Sequence, residues 1–226
     1  MKAVPNYHAL YVEGYDLHNV DRTLAGRLLQ KSHRLLESTL PTDFFASDIL
    51  EVGAGSGHHF AYVANAPARY VMSDASDAML ALAAARYTKE VSSGELVIEK
   101  QDAAHLSYAD GAFDRLIATH VLEHMPNPVA VLQEWNRVVR PGGLISIVLP
   151  CDPGFAWRMG RHFGPRKHST RLGLPYDYLQ AAEHINSIFN LVVFIRHHFD
   201  DVAELWYPAR IPSADVNLFY ICHIRT

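Results

Sequence analysis

Residues 49–57 read Ile49-Leu50-Glu51-Val52-Gly53-Ala54-Gly55-Ser56-Gly57, and the fold turns on this run. Ile49, Leu50 and Val52 form a short apolar run of the kind that becomes a parallel strand buried on both faces. Three alternate glycines then break it. Without a Cβ, they let the backbone take positive φ and come close to a ligand. The following residues, HHFAYVANA, can begin a helix whose unpaired N–H groups face the same turn. A strand, a glycine turn and a helix start make a nucleotide-cofactor site at the carboxyl end of a strand. A glycine turn alone is common; Glu51 before it, and Asp74 and Asp102 beyond it, sharpen the reading.

The composition fits this. A chain of 226 residues is read as one domain, residues 1–226, able to bury a substantial core. Hydrophobic residues at 49% and charged residues at 19% describe an ordinary globular protein. A net charge of -4 gives no drive toward nucleic acid or an anionic membrane. Cys151 and Cys222 cannot form a disulfide framework in a chain this long, which fits a reducing, cytoplasmic location. No apolar run approaches the length of a membrane span, and no signal-peptide pattern is present.

Tyr7, Tyr11 and Tyr15 come first, followed by a helix expected over 19–40 with Leu24, Leu28, Leu35 and Leu36 on its apolar side. Residues 1–48 read as a helical cap, either a helix covering the sheet edge or a flap whose tyrosines close over cofactor and substrate. From residue 49 short apolar strands alternate with helical patterns, the signature of a mostly parallel α/β sheet. Strands are expected at 69–73, 96–99, 115–119 and 144–149. One helix is expected over 76–90, capped by Ser76 or Asp77, and another begins at Asn127-Pro128 and stops at Pro141-Gly142-Gly143. Residues 150–184 hold eight glycines and prolines, so no long regular element is expected there. An amphipathic helix through Ile188, Val192, Ile195 and Phe199 precedes strands at 203–207 and 217–224. The connection between those strands is too short for a crossover helix, so they should pair antiparallel. The segments are thus a cap (1–48), a cofactor core (49–149), a substrate-side insertion (150–184) and a C-terminal helix with strands (185–226).

Three motifs accompany the E-x-G-x-G-x-G turn: Asp74 after the second strand, Asp102-Ala103 after the third, and V-L-E-H-M-P-N-P after the fourth. With them the chain resembles the class I S-adenosylmethionine-dependent methyltransferases, in their small-molecule branch. A dinucleotide fingerprint would need Gly or Ala at position 58, where His58 stands. The resemblance covers roughly residues 49–149 and implies a Rossmann-like, doubly wound, mostly parallel sheet of seven strands with an antiparallel C-terminal hairpin. It implies that Glu51 and the turn of Gly53, Ala54, Gly55, Ser56 and Gly57 hold the methionine part of S-adenosylmethionine. Asp74 would accept the ribose hydroxyls, and Asp102 with Ala103 would read the adenine edge. Met79 or Ala75 would touch the adenine face, and His120 would lie beneath the cofactor.

Methyl transfer needs alignment and a dry pocket from the protein, and a base if the acceptor is a hydroxyl. His124 and His120 are the candidate bases; a packed loop histidine is the competing reading for His124. His120-x-x-Glu123-His124 is similar to the E-x-x-E-H metal element of quinone-ring O-methyltransferases. His120 replaces its first glutamate, which disfavours a hard ion, and no metal is expected. The pairs His58-His59 and His197-His198 are expected at the surface or at helix ends. Arg158, Arg161, Arg166 and Arg171, with Phe155, Trp157 and Tyr178, suit an anionic or glycan-bearing acceptor. The expected activity is O- or N-directed methylation of a small molecule, glycan or glycolipid. A nucleotide-dependent oxidoreductase and an inactive methyltransferase-like binding module are the alternatives. No nucleic-acid partner is expected, and the oligomeric state is open, a homodimer included.

Overall fold

Ile49, Leu50 and Val52 do form the centre of a sheet, each no more than 2% exposed. The structure, a computed structural model, describes residues 24–64, 67–164, 166, 169 and 175–226. Tyr7, Tyr11, Tyr15, Arg171 and the start of the expected first helix lie outside them. In chain order the strands are β1 (Asp48–Val52), β2 (Arg69–Asp74), β3 (Leu96–Lys100), β4 (Phe113–Thr119), β5 (Val139–Pro150), β6 (Val202–Pro208) and β7 (Asn217–Arg225). The helices are α1 (Leu24–Ser38), α2 (Asp77–Arg86), α3 (Thr88–Ser93), α4 (Pro128–Val138), α5 (Phe155–Phe163), α6 (Tyr176–Glu183) and α7 (Ile188–His198).

The seven strands form one sheet in the order β3-β2-β1-β4-β5-β7-β6. β1 pairs parallel with both β2 and β4, so the winding reverses beside it. Such a reversal leaves a crevice at the carboxyl ends of the strands. β7 runs antiparallel to β5 and β6, as the short connection requires. Alternate side chains point to opposite faces. Leu116 and Ala118 therefore join the layer of α4 and α7, with Trp135, Leu132, Leu191 and Ile195, while Ile117 joins Leu36, Tyr70 and Met72. Each fully buried large apolar side chain contributes roughly 1.5–3 kcal/mol.

Helix α1 is fastened to the second face by buried polar groups. The Arg115 guanidinium, 2% exposed, donates to both oxygens of Glu37 at 2.8 and 3.1 Å and to Ser146 Oγ at 2.9 Å. His59 Nε2 lies 2.9 Å from the same carboxylate, and His33 Nδ1 lies 3.0 Å from His59 Nδ1. His223 bridges Ser146 and Thr39 at 2.9 and 3.0 Å.

Four local expectations differ from what is observed. After Gly57 there is only a short 3-10 turn, Phe60–Tyr62, because His59 is drawn into the Glu37 cluster and Pro67 closes a short connection. The helix expected over 76–90 breaks at Tyr87, whose hydroxyl donates to the Gly57 carbonyl at 2.9 Å. Pro141-Gly142-Gly143 does not end α4, which stops at Val138; these residues lie in an irregular stretch at the start of β5. Residues 150–184 do hold helices, α5 and α6, since Gly154, Gly164 and Pro175 stand at their ends rather than inside them. The caps at Ser76 and Asn127 are as expected, accepting from Met79 N and Ala130 N. No helix among the described residues is long and apolar enough to cross a membrane.

Candidate active site

The glycine turn leaves β1 with φ values of +61°, +56° and +79° at Gly53, Gly55 and Gly57. A Cβ at Gly53 would stand 2.5 Å from Val121 Cγ2, so this position admits only glycine without a shift. The turn is tied to β2: Ala54 N–H donates to the Ser73 carbonyl, and Gly55 N–H donates to Asp74 Oδ2, both at 2.9 Å. Asp74 Oδ1 accepts from Ser76 N at 2.8 Å. Two backbone donors therefore aim the Asp74 carboxylate, and its remaining lone pairs stay available.

Glu51 is 1% exposed and accepts a hydrogen bond from the Tyr70 hydroxyl at 2.8 Å. Burial pushes its carboxyl up to about 8, although the Tyr70 bond works the other way. Asp102 is exposed and receives Ala104 N–H and His105 Nδ1 at 2.9 and 3.1 Å, which hold it below the usual carboxylate range. The Ala103 carbonyl accepts from Trp135 Nε1 at 2.9 Å. Met79 is 5% exposed and Ala75 is open to solvent.

A cavity of about 580 Å³ opens beside the turn. Glu51, Gly53, Ala54, His120 and His124 line it, whereas Gly55, Ser56, Gly57, Asp74, Ala75, Met79, Asp102 and Ala103 lie outside. The expected residues thus separate into a cavity group and a rim that follows the ends of β1, β2 and β3. Leu24 and Leu28 of α1, Trp157 of α5 and Leu218 and Phe219 of β7 complete the apolar wall.

Beyond β4, His120 adopts φ +59°, uncommon for a residue with a Cβ, and its N–H donates to the Val148 carbonyl at 3.0 Å. The Ser32 hydroxyl is spent on the Leu29 carbonyl at 2.7 Å, so its oxygen accepts from His120 Nε2, 3.3 Å away. His120 Nδ1 then faces Glu123 Oε1 at 3.7 Å. Burial alone would raise the Glu123 carboxyl, but His120, His124 and His184 hold it below the usual range. At 3.7 Å the His120 contact is too long for a hydrogen bond.

His184 joins Glu123 and His124 here, a residue outside the His120-x-x-Glu123-His124 pattern. It carries no motif, and its 60-residue separation from His124 hides it from any local pattern. The described arginines of 150–184 mostly face elsewhere. Arg161 lines the cavity but is paired with Asp152 at 2.9 Å and lies over Tyr176. Arg158 is exposed, and Arg166 is bonded to Asp177. His197 and His198 are exposed at the end of α7 as expected, but His59 is buried, because Glu37 and His33 enclose it.

Residues 50–147 match the family model described as "Methyltransferase domain". Over those residues, less than half of its length, the chain is similar to a methyltransferase domain. Methyltransferase GfsG of Streptomyces halstedii is 36% identical over 100 residues, 44% of this chain and 36% of that one. An uncharacterised protein of Mycobacterium bovis matches 48% of its own length, so the chain spans about a third to a half of the curated relatives it matches. Among solved structures, the N-methyltransferase NodS of Bradyrhizobium japonicum, in complex with S-adenosylhomocysteine, has a TM-score of 0.63 at 15% identity, covering 97% of both chains. The [4+2]-cyclase SpnF has a TM-score of 0.66 at 17% identity, covering 96% of this chain and 94% of its own. These likenesses show the fold. The residues fit S-adenosylmethionine: Gly53 packs too closely on Val121 to admit a Cβ, and its bare backbone lines the cavity beside the buried carboxyl of Glu51, a group that would suit a cationic partner.

Proposed function

We propose that the protein methylates a small molecule held in the cavity. One observation carries this: a single cavity joins the Glu51–Gly53–Ala54 end of the cofactor turn to His120 and His124. When bound, S-adenosylmethionine supplies a methyl group on a positively charged sulfur. Glu51 would hold the cationic end, Asp74 the ribose hydroxyls, and Asp102 with the Ala103 N–H the adenine edge. Ala75 and Met79 would bound the adenine. The largely apolar wall excludes water and favours an acceptor with an apolar body; the outward set of Arg158 and Arg166 gives an anionic or glycan acceptor less support. His120 is the preferred base. Its Nε2–H is held by Ser32, which leaves Nδ1 to take the acceptor's proton as the new bond to oxygen or nitrogen forms.

Incubation with methyl-labelled S-adenosylmethionine and a panel of apolar phenols, alcohols and amines tests this. The label should move to at least one acceptor. His120→Asn, which tolerates the positive φ, should lower kcat by about 100-fold with unchanged cofactor affinity. Because the fold also carries a cyclase, the decisive readout is the transferred methyl. Failure to bind S-adenosylmethionine would sink the proposal.

A further inference from the structure

Glu123 is the buried group that methyl transfer leaves unused. Its residue is 2% exposed, and both carboxylate oxygens are buried with no hydrogen-bond partner. The nearest ring nitrogens, His120 Nδ1 and His124 Nε2, stand at 3.7 and 3.8 Å, beyond hydrogen-bond length. Buried carboxylates are ordinarily satisfied, so this one needs an occupant.

The two neighbouring histidines face it with lone pairs. His124 Nδ1 lies 2.8 Å from the Glu183 carbonyl, which only accepts, so Nδ1 carries the hydrogen and Nε2 is left basic. His184 Nδ1 lies 2.9 Å from Asp152 Oδ2, a carboxylate also paired with Arg161, so the same assignment holds there. One ligand atom from each of Glu123, His124 and His184 lies within 4.8 Å of the others. Three acceptors thus converge with no donor among them, which suits a cation. Metal-binding imidazoles characteristically give their second N–H to a carbonyl or carboxylate, as both rings do here. The segments are also stapled together: Asn186 N donates to the Glu123 carbonyl at 3.1 Å, and Asn186 Nδ2 to that of Met125 at 2.7 Å.

We infer that Glu123, His124 and His184 bind one divalent transition-metal ion, with its remaining coordination positions open to the cavity that all three line. Two imidazoles and one carboxylate suit zinc, iron or cobalt rather than magnesium or calcium. The metal-free expectation rested on His120, Glu123 and His124 alone; His184 supplies the ligand that reading lacked. The inference does not depend on methyl transfer, and its test reads metal binding alone.

The full chain, stripped with chelator, is titrated with Zn²⁺ by calorimetry and with Co²⁺ by visible absorption. One tight equivalent is expected, with Co²⁺ ligand-field bands. Glu123→Gln and His184→Ala should each weaken it by at least about 100-fold, and Asp152→Asn by about 10–100-fold. The double variant His197→Ala/His198→Ala, which removes exposed histidines, should bind as wild type. Wild-type affinity in Glu123→Gln and His184→Ala, or no tight equivalent in the wild type, overturns the inference. Should either variant misfold, X-ray absorption on the zinc-loaded wild type decides: two imidazole ligands support the site and none overturns it.

Discussion

Consider replacing Glu51 by Gln, which keeps the shape and removes the titration. The carboxyl is pushed up to about 8 in the folded chain from 4.5. Near pH 7 the folded protein therefore holds a proton that the unfolded chain has released. Stability from this group is complete below about pH 4.5 and lost as pH rises through about 8, at roughly 1.4 kcal/mol per pH unit. Over the whole interval this amounts to about 5 kcal/mol at most. Urea unfolding at several pH values should show this slope in the wild type relative to Glu51→Gln, with the variant the more stable above about pH 7. A cationic cofactor group beside Glu51 favours the carboxylate, so binding near pH 7 should expel close to one proton. Calorimetry in two buffers of different ionisation enthalpy counts that proton. Parallel stability curves and no proton release would refute the role given to Glu51.

Two further outcomes are expected. Asp74→Ala should weaken S-adenosylmethionine binding by roughly 2–4 kcal/mol, since it removes a charged acceptor and frees the Gly55 and Ser76 N–H groups; unchanged affinity by calorimetry removes Asp74 from the site. Acid should release α1: burial raises Glu37, but His59 and Arg115 more than offset this and hold it at about 2, while burial keeps His33 and His59 below the usual histidine range. Stability from the histidines is lost as pH falls below about 6.5 and that from Glu37 between about 4.5 and about 2. Followed by circular dichroism in the Glu51→Gln background, where the opposing Glu51 proton is absent, a flat profile from about pH 7 to about pH 3 would contradict this.

What could be read from the chain was local. The apolar run before Gly53, the Asn127-Pro128 cap and the antiparallel last strands each rest on neighbours within a few residues, and all are observed. Buried charge was not legible. Arg115 looks like an ordinary strand residue until Glu37, 78 residues earlier, is folded onto it. That same cluster drew in His59 and suppressed the helix expected after Gly57. The candidate site divides along the same line. Glu51, Gly53, Ala54, His120 and His124 were named from ordered motifs and the resemblance they carry, and all line the cavity, whereas His184 and the wall residues Trp157 and Phe219 are brought in only by the packing of the 150–184 segment and β7.

The position of β7 has a bearing on how the molecule is made. It follows every other strand in the chain yet lies inside the sheet, between β5 and β6. Leu144 to Leu149, each at most 2% exposed, pair with Arg225 to Tyr220. Until Asn217 onward has emerged, β5 presents an unpaired apolar edge of the sort that recruits neighbouring chains. At about 5–20 residues per second, synthesis leaves that edge open for several seconds. The danger of aggregation is therefore concentrated in the nascent chain, and slower synthesis lengthens it even though the finished sheet hides the edge.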